Sequence, residues 1–163
     1  MTRLCILMIA ALCLGMGAPA SAQSDAIVLL VNPRSGVKSV ADFVAWVKRS
    51  KKPLAYSSSD PASQRIGDAL AQKLGIKTVH VPYRAASQGV LDLIGGHIDF
   101  SVVDVGAAVG QIQGGLVTAI AVAGKQRFPG LPDVPTFAEA GFPELLSQRP
   151  DHSPWPLLAH ARY

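Results

Sequence analysis

The sequence predicts an α/β domain with a mostly parallel sheet flanked by helices, and three observations carry that reading. Short apolar runs alternate along the chain with amphipathic stretches of helical length. The apolar runs are continuous rather than alternating, as in strands covered on both faces. Gly, Pro, Ser and Asp punctuate almost every change of pattern.

The elements follow in order. IVLLVNP (27–33) is an unbroken apolar strand stopped by a proline turn. In SVADFVAWVKRS, Val40, Phe43, Val44 and Val47 recur at helical spacing, and Ser39 with Asp42 reads as a capping box. PLAY (53–56) is a short strand before a serine-rich turn. Asp60 and Pro61 suit the cap and first position of a helix that turns Ile66, Ala69, Leu70 and Leu74 inward and ends at Gly75. KTVHVP (77–82) is the next strand, and 86–94 a helix stopped by Gly95 and Gly96. IDFSVV (98–103) is a strand, 105–113 a helix closed by Gly114 and Gly115, and LVTAIAVA (116–123) a last buried strand. From Phe128 the chain is proline-punctuated, with one short helical stretch at 136–140, and residues 148–163 have neither period and read as an irregular tail.

Composition bounds the setting. Residues 1–22 combine a basic start (Arg3), a short apolar run and the small-residue pattern Ala20-Ser21-Ala22, the features of a secretory signal peptide. The apolar run is too short to span a bilayer. Both cysteines, Cys5 and Cys13, fall inside it, so the expected mature domain (23–147) has no disulfide, thiolate metal site or cysteine nucleophile. A cysteine-free exported domain points to the periplasm. The formal charge of +4 is mild and does not imply nucleic acid. The basic cluster Lys48, Arg49, Lys51, Lys52 follows a helix, where cations complement the C-terminal dipole.

In an open parallel sheet, ligands bind outside the carboxyl ends of the strands. Three junctions there could offer free amides and positive helix ends to a carboxylate or phosphate. These are YSSSDPAS (56–63), PYRAAS (82–87) and VVDVGAA (102–108). Ser57, Ser58, Ser59, Ser63 and Ser87 add hydroxyls, and Arg84 adds charge. Each has a plainer alternative: serines before a helix cap it, Arg84 lies on the surface, and Asp104 is an N-cap. No G-x-S-x-G elbow, G-x-G-x-x-G or Walker loop is present. His97 and Asp99 are too few for a metal site, so no metal and no cofactor is expected. A serine nucleophile can be drawn from Ser57–Ser59 with His80 and Asp104, the basis of a hydrolase-like alternative.

Taken together, VNPRSGVKSVADFVAWVK, LAYSSSD, VHVPYRAASQGVLDLIGGHIDFSVVD and GGLVTAIAVAGKQRFPGLPDVPTFAEAGFPEL resemble the substrate-binding receptors of tripartite tricarboxylate transporters, the Bug family. The resemblance implies a type II periplasmic-binding fold with two α/β lobes closing on a small organic carboxylate. It covers the second lobe, so the chain is expected to be truncated, with binding reduced or lost. It carries over Ser57, Ser58 and Ser59 to the family's serine/glycine loop, Tyr83, Arg84, Ala85 and Ala86 to its second turn, and Asp104 to an acidic cleft position. The implied partners are a small organic acid and the membrane components of the transporter, with self-association through an exposed lobe face. A non-binding interaction domain or gene remnant is the remaining alternative.

Overall fold

A computed structural model describes residues 26–146. The predicted leader and the predicted tail lie outside the described residues. The elements are β1 (Ile27–Val31), α1 (Val40–Arg49), β2 (Leu54–Ser58), α2 (Pro61–Leu74), β3 (Thr78–Pro82), α3 (Ala86–Gly95), β4 (Phe100–Asp104), α4 (Val105–Gln113) and β5 (Thr118–Ala123), with short 3-10 turns at Pro33–Ser35 and Pro143–Leu146. The expected helix at 136–140 is instead a single turn. Thr136 Oγ1 accepts from Glu139 N, and Glu139 Oε2 accepts from Thr136 N at 2.8 Å, but Gly141 ends the turn at a left-handed φ of 89°.

The five strands form one sheet in the order β3-β2-β4-β1-β5. β2 is parallel to both β3 and β4, whereas β1 is antiparallel to both β4 and β5. Four strands therefore point one way and β1 opposes them. The apolar run of β1 reported burial on both faces, and burial says nothing about direction. Its five residues are all buried, with Ile27, Leu29 and Val31 on one side of the sheet and Val28 and Leu30 on the other.

Each face has its own helices. α1 supplies Val40, Phe43 and Val47 to the first core, and α2 supplies Ile66 and Leu70. α3 supplies Val90 and Leu93 to the second, and α4 supplies Val105 and Ala108. The chain leaves β2 toward one face and β4 toward the other. Adjacent strands whose following helices part in this way create a crevice at their carboxyl ends.

Two side chains tie the layers. Asn32, in the VNP turn, donates to the carbonyls of Leu93 (2.8 Å) and Ile94 (3.1 Å) at the end of α3 while its Oδ1 accepts from Arg34 N. Asp99 accepts from Ala55 N at 2.8 Å and so fixes the start of β2 against β4. Capping is divided differently from the prediction. Ser39 Oγ accepts from Asp42 N (3.1 Å), but the Asp42 carboxylate reaches Lys38 N rather than Ser39 N. The reciprocal box stands at α2, between Asp60 and Ser63.

Candidate functional site

The carboxyl ends of β2, β3, β4 and β5 share one edge of the sheet, joined there by the start of β1, since Ile27 pairs with both Asp104 and Ala123. The β2–β4 ladder stops at Ser57–Ser101, so the strands are unpaired beyond the point where their chains diverge. The three predicted junctions all come to this edge.

Their residues divide by exposure. Ser57 is fully buried, its hydroxyl 2.7 Å from that of Ser101 and sealed beneath Gly89 of α3. Ser58 is also buried, with Oγ 2.7 Å from His80 Nε2 and its carbonyl accepting from Tyr83 N at 3.0 Å. Ser63 is buried in the capping box of α2, where its hydroxyl meets Asp60 Oδ2 at 2.6 Å. These three hydroxyls bind the junctions together and do not reach solvent. Ser59, Tyr83, Ala86 and Asp104 are half-buried, while Arg84, Ala85 and Ser87 are exposed.

The helix N-termini differ in the same way. Asp60 caps α2 by accepting from Ala62 N (2.8 Å) and Ser63 N (2.9 Å). Burial alone would raise its pKa, but hydrogen bonds from Ser63, Ala62 and Ser59 outweigh that and hold it below the usual aspartate value. Ala85 heads α3 and Asp104 heads α4, and neither side chain makes a capping hydrogen bond. First-turn amides without side-chain caps, at the positive end of a helix, suit an anion. Arg84 adds a cation beside α3, and among the described residues no hydrogen bond or ion pair engages it. Tyr83 donates to Asp92, and that hydrogen bond, more than burial, pushes its phenol up to about 12. The tyrosine thereby fixes its turn onto α3.

Sequence reasoning missed Ser101 and Asp92 as partners of Ser57 and Tyr83, whereas the Ser58–His80 contact falls within the serine–histidine grouping it offered. A serine in a buried strand needs a hydrogen-bonding neighbour, so Ser57 and Ser101 each signalled a partner, but strand register decides which one. The Ser58–His80 contact superficially meets the hydrolase alternative. Ser58 is only 3% exposed, however, and no substrate carbonyl can reach its oxygen. Among the described residues no three His, Cys, Asp or Glu side chains are grouped to hold a metal ion.

The tripartite tricarboxylate transporter family receptor model matches residues 19–151. The chain belongs to this family. Its members are solute receptors rather than enzymes, which removes the hydrolase alternative. This receptor-family chain is 28% identical over 140 residues to the protein BugT of Bordetella pertussis, covering 84% of this chain and 41% of BugT. It is 36% identical over 110 residues to an Agrobacterium vitis protein encoded between ttuE and ttuC′, covering 66% of this chain and 32% of that one. Among solved structures it matches a periplasmic transporter with a TM-score of 0.70 and 34% identity, over 75% of this chain and 41% of the other. It also matches Rhodopseudomonas palustris Rpa4515 with adipate (TM-score 0.68, 26% identity, 72% of this chain and 40% of the other). MatC of the same organism with bound malate gives a TM-score of 0.65 at 26% identity, over 74% of this chain and 42% of the other. The chain therefore spans about two fifths or less of the length of these relatives.

Proposed function

We propose that this chain is a periplasmic receptor component that holds a small organic carboxylate at the carboxyl edge of its sheet, for uptake by a tripartite tricarboxylate transporter. The observation that carries the reading is the pair of helix N-termini, α3 and α4, that meet one edge without side-chain caps. Arg84, Ala85, Ala86 and Ser59 are the accessible groups for direct contact, with backbone amides as the main donors. Tyr83, Ser57, Ser58 and Ser63 position those groups from behind. Asp104, at the head of α4, favours ligands that bring a donor or a bridging water to that side of the edge. Adipate and malate in two relatives support a dicarboxylate of this size. The leader-like N-terminus supports periplasmic residence.

Enclosure sets affinity at such sites, because a carboxylate held on one side stays largely hydrated. Binding by this chain alone is therefore weaker than by a site closed from both sides. A thermal-shift scan against dicarboxylates and tricarboxylates tests the reading. Ligand at about 100 times its Kd adds about 2.7 kcal/mol to stability, enough to raise the melting temperature by several degrees. Arg84→Ala removes a charge-assisted contact and weakens that binding about tenfold. A cooperative melt that no acid shifts overturns the reading.

A further inference from the structure

We infer a second anion site at the opposite edge of the sheet, built for a small anion carrying at least two negative charges. A cavity of about 300 Å³ opens between the C-terminal ends of α1 and α2, where β2 and β3 begin. Lys48, Lys51, Lys52 and Lys77 line it, together with Leu54 and Gly75, and no aspartate or glutamate does. All four lysines are exposed. Among the described residues the ion pairs are Lys73–Glu144 and Arg127–Glu139, so no described carboxylate pairs with any of the four.

The competing explanation is that these lysines complement helix C-termini, and magnitudes decide against its sufficiency. A helix C-terminus is equivalent to about half a negative charge, so two of them offset about one of the four lysines. Three of the terminal carbonyls are also already engaged by backbone amides. Ser50 N donates to Val47 O at 3.2 Å, Gly75 N donates to Gln72 O at 3.2 Å, and Ile76 N donates to Ala71 O at 3.1 Å. About three positive charges are left around one concavity, which is an arrangement that an anion relieves. The volume matches the lower end of small-molecule sites, about 300–1,000 Å³. Lysine ammonium groups act as mobile point charges with three donors each, and they accept carboxylate and phosphate oxygens alike. The ligand class is thus a compact polyvalent carboxylate or phosphate. The site lies at the other end of the strands from the carboxyl edge and does not depend on the carboxylate reading there.

Isothermal titration of the full chain with citrate and with pyrophosphate, at about 0.01 M ionic strength where screening is weak, tests the inference. The expected result is a saturable binding event, one anion per chain, that persists in Arg84→Ala, where any binding at the carboxyl edge is weakened. The triple substitution Lys51→Gln, Lys52→Gln, Lys77→Gln weakens it at least about tenfold, a loss of about 1.4 kcal/mol. Circular dichroism of the triple variant stays unchanged and its melting temperature does not fall, since the three side chains are exposed and their mutual repulsion is removed. Preference for pyrophosphate identifies a phosphate-type ligand, and preference for citrate a carboxylate-type one. The inference is overturned by non-saturable binding that chloride matches. It is equally overturned by binding that Arg84→Ala abolishes and the triple variant retains, or by no heat from either anion.

Discussion

Gly67 shows how one residue without a side chain can set the spacing of a layer. It lies on the inner face of α2 against Tyr56, and a Cβ there would stand 2.4 Å from the ring's Cε2. The ring cannot step aside. It stacks on Phe100 at 5.1 Å with an interplanar angle of 7°, and its hydroxyl donates to Asp68 of the same helix. Phe100 is held in turn by an edge contact from Phe43 at 5.6 Å. Gly67→Ala gains roughly 1 kcal/mol of helix propensity and loses about 1–3 kcal/mol to overpacking, so the variant is net destabilised. Urea denaturation checks this, and a midpoint above that of the parent chain would mean that α2 can lift off the sheet freely. Neither Gly67 nor the similar Gly89–Ser57 contact is legible in sequence, because each depends on a residue in another element. Asp104 illustrates a finer limit. Its place before a helix was readable, and its type matched an N-cap, yet its side chain makes no capping bond.

At the scale of elements, capping explains which helices the sequence could delimit. α2 runs from Pro61 to Leu74 behind an Asp60 cap, and its end at Gly75 has a left-handed φ of 64°. Asp-Pro at the start and Gly at the end were sufficient signals, because each acts within its own turn. The capping box itself was less legible, since Ser39–Asp42, with its acid at the third position, looks closer to the usual box, but Asp60–Ser63 at the same spacing closes both bonds. Asp60→Ala removes the cap and costs about 1 kcal/mol. The pH dependence follows from the lowered pKa of Asp60. A carboxyl with a depressed folded-state value contributes stability that is complete above the unfolded value, near 3.8. That stability is lost as pH falls through the lower folded value. Asp60→Asn keeps an oxygen acceptor for the helix amides and cannot titrate. Its melting temperature should therefore fall less steeply than the parent's below about pH 4. Equal acid slopes in the two proteins would show that the cap does not bind its carboxylate form preferentially.

At the scale of the molecule, the sequence displayed five strands and their covering helices but not the sheet order. Strand existence is a local property of apolar runs, whereas order and direction depend on pairings distant in sequence. β1 is the instructive case, since it lies between β4 and β5 and opposes both. The predicted junctions still meet, because the other four strands bring their carboxyl ends to one edge. The order also ranks the strands by stability. β1 is paired on both sides and buried throughout, and β4 is paired with both β1 and β2. At the other edge of β5, Val122 N donates to Pro135 O and Phe137 N donates to Val122 O. Among the described residues β3 has β2 alone as a sheet neighbour, and its Val79 is 53% exposed. Amide exchange in a monomer should therefore be slowest in β1 and β4, approaching the global unfolding limit, and fastest in β3. Mass-spectrometric hydrogen exchange at two protein concentrations checks this. Protection of β3 that equals β1 at both concentrations would overturn the ranking. Protection of β3 that rises with concentration would instead mean that a second copy pairs with the open edge, since an unpaired strand is a template for another chain.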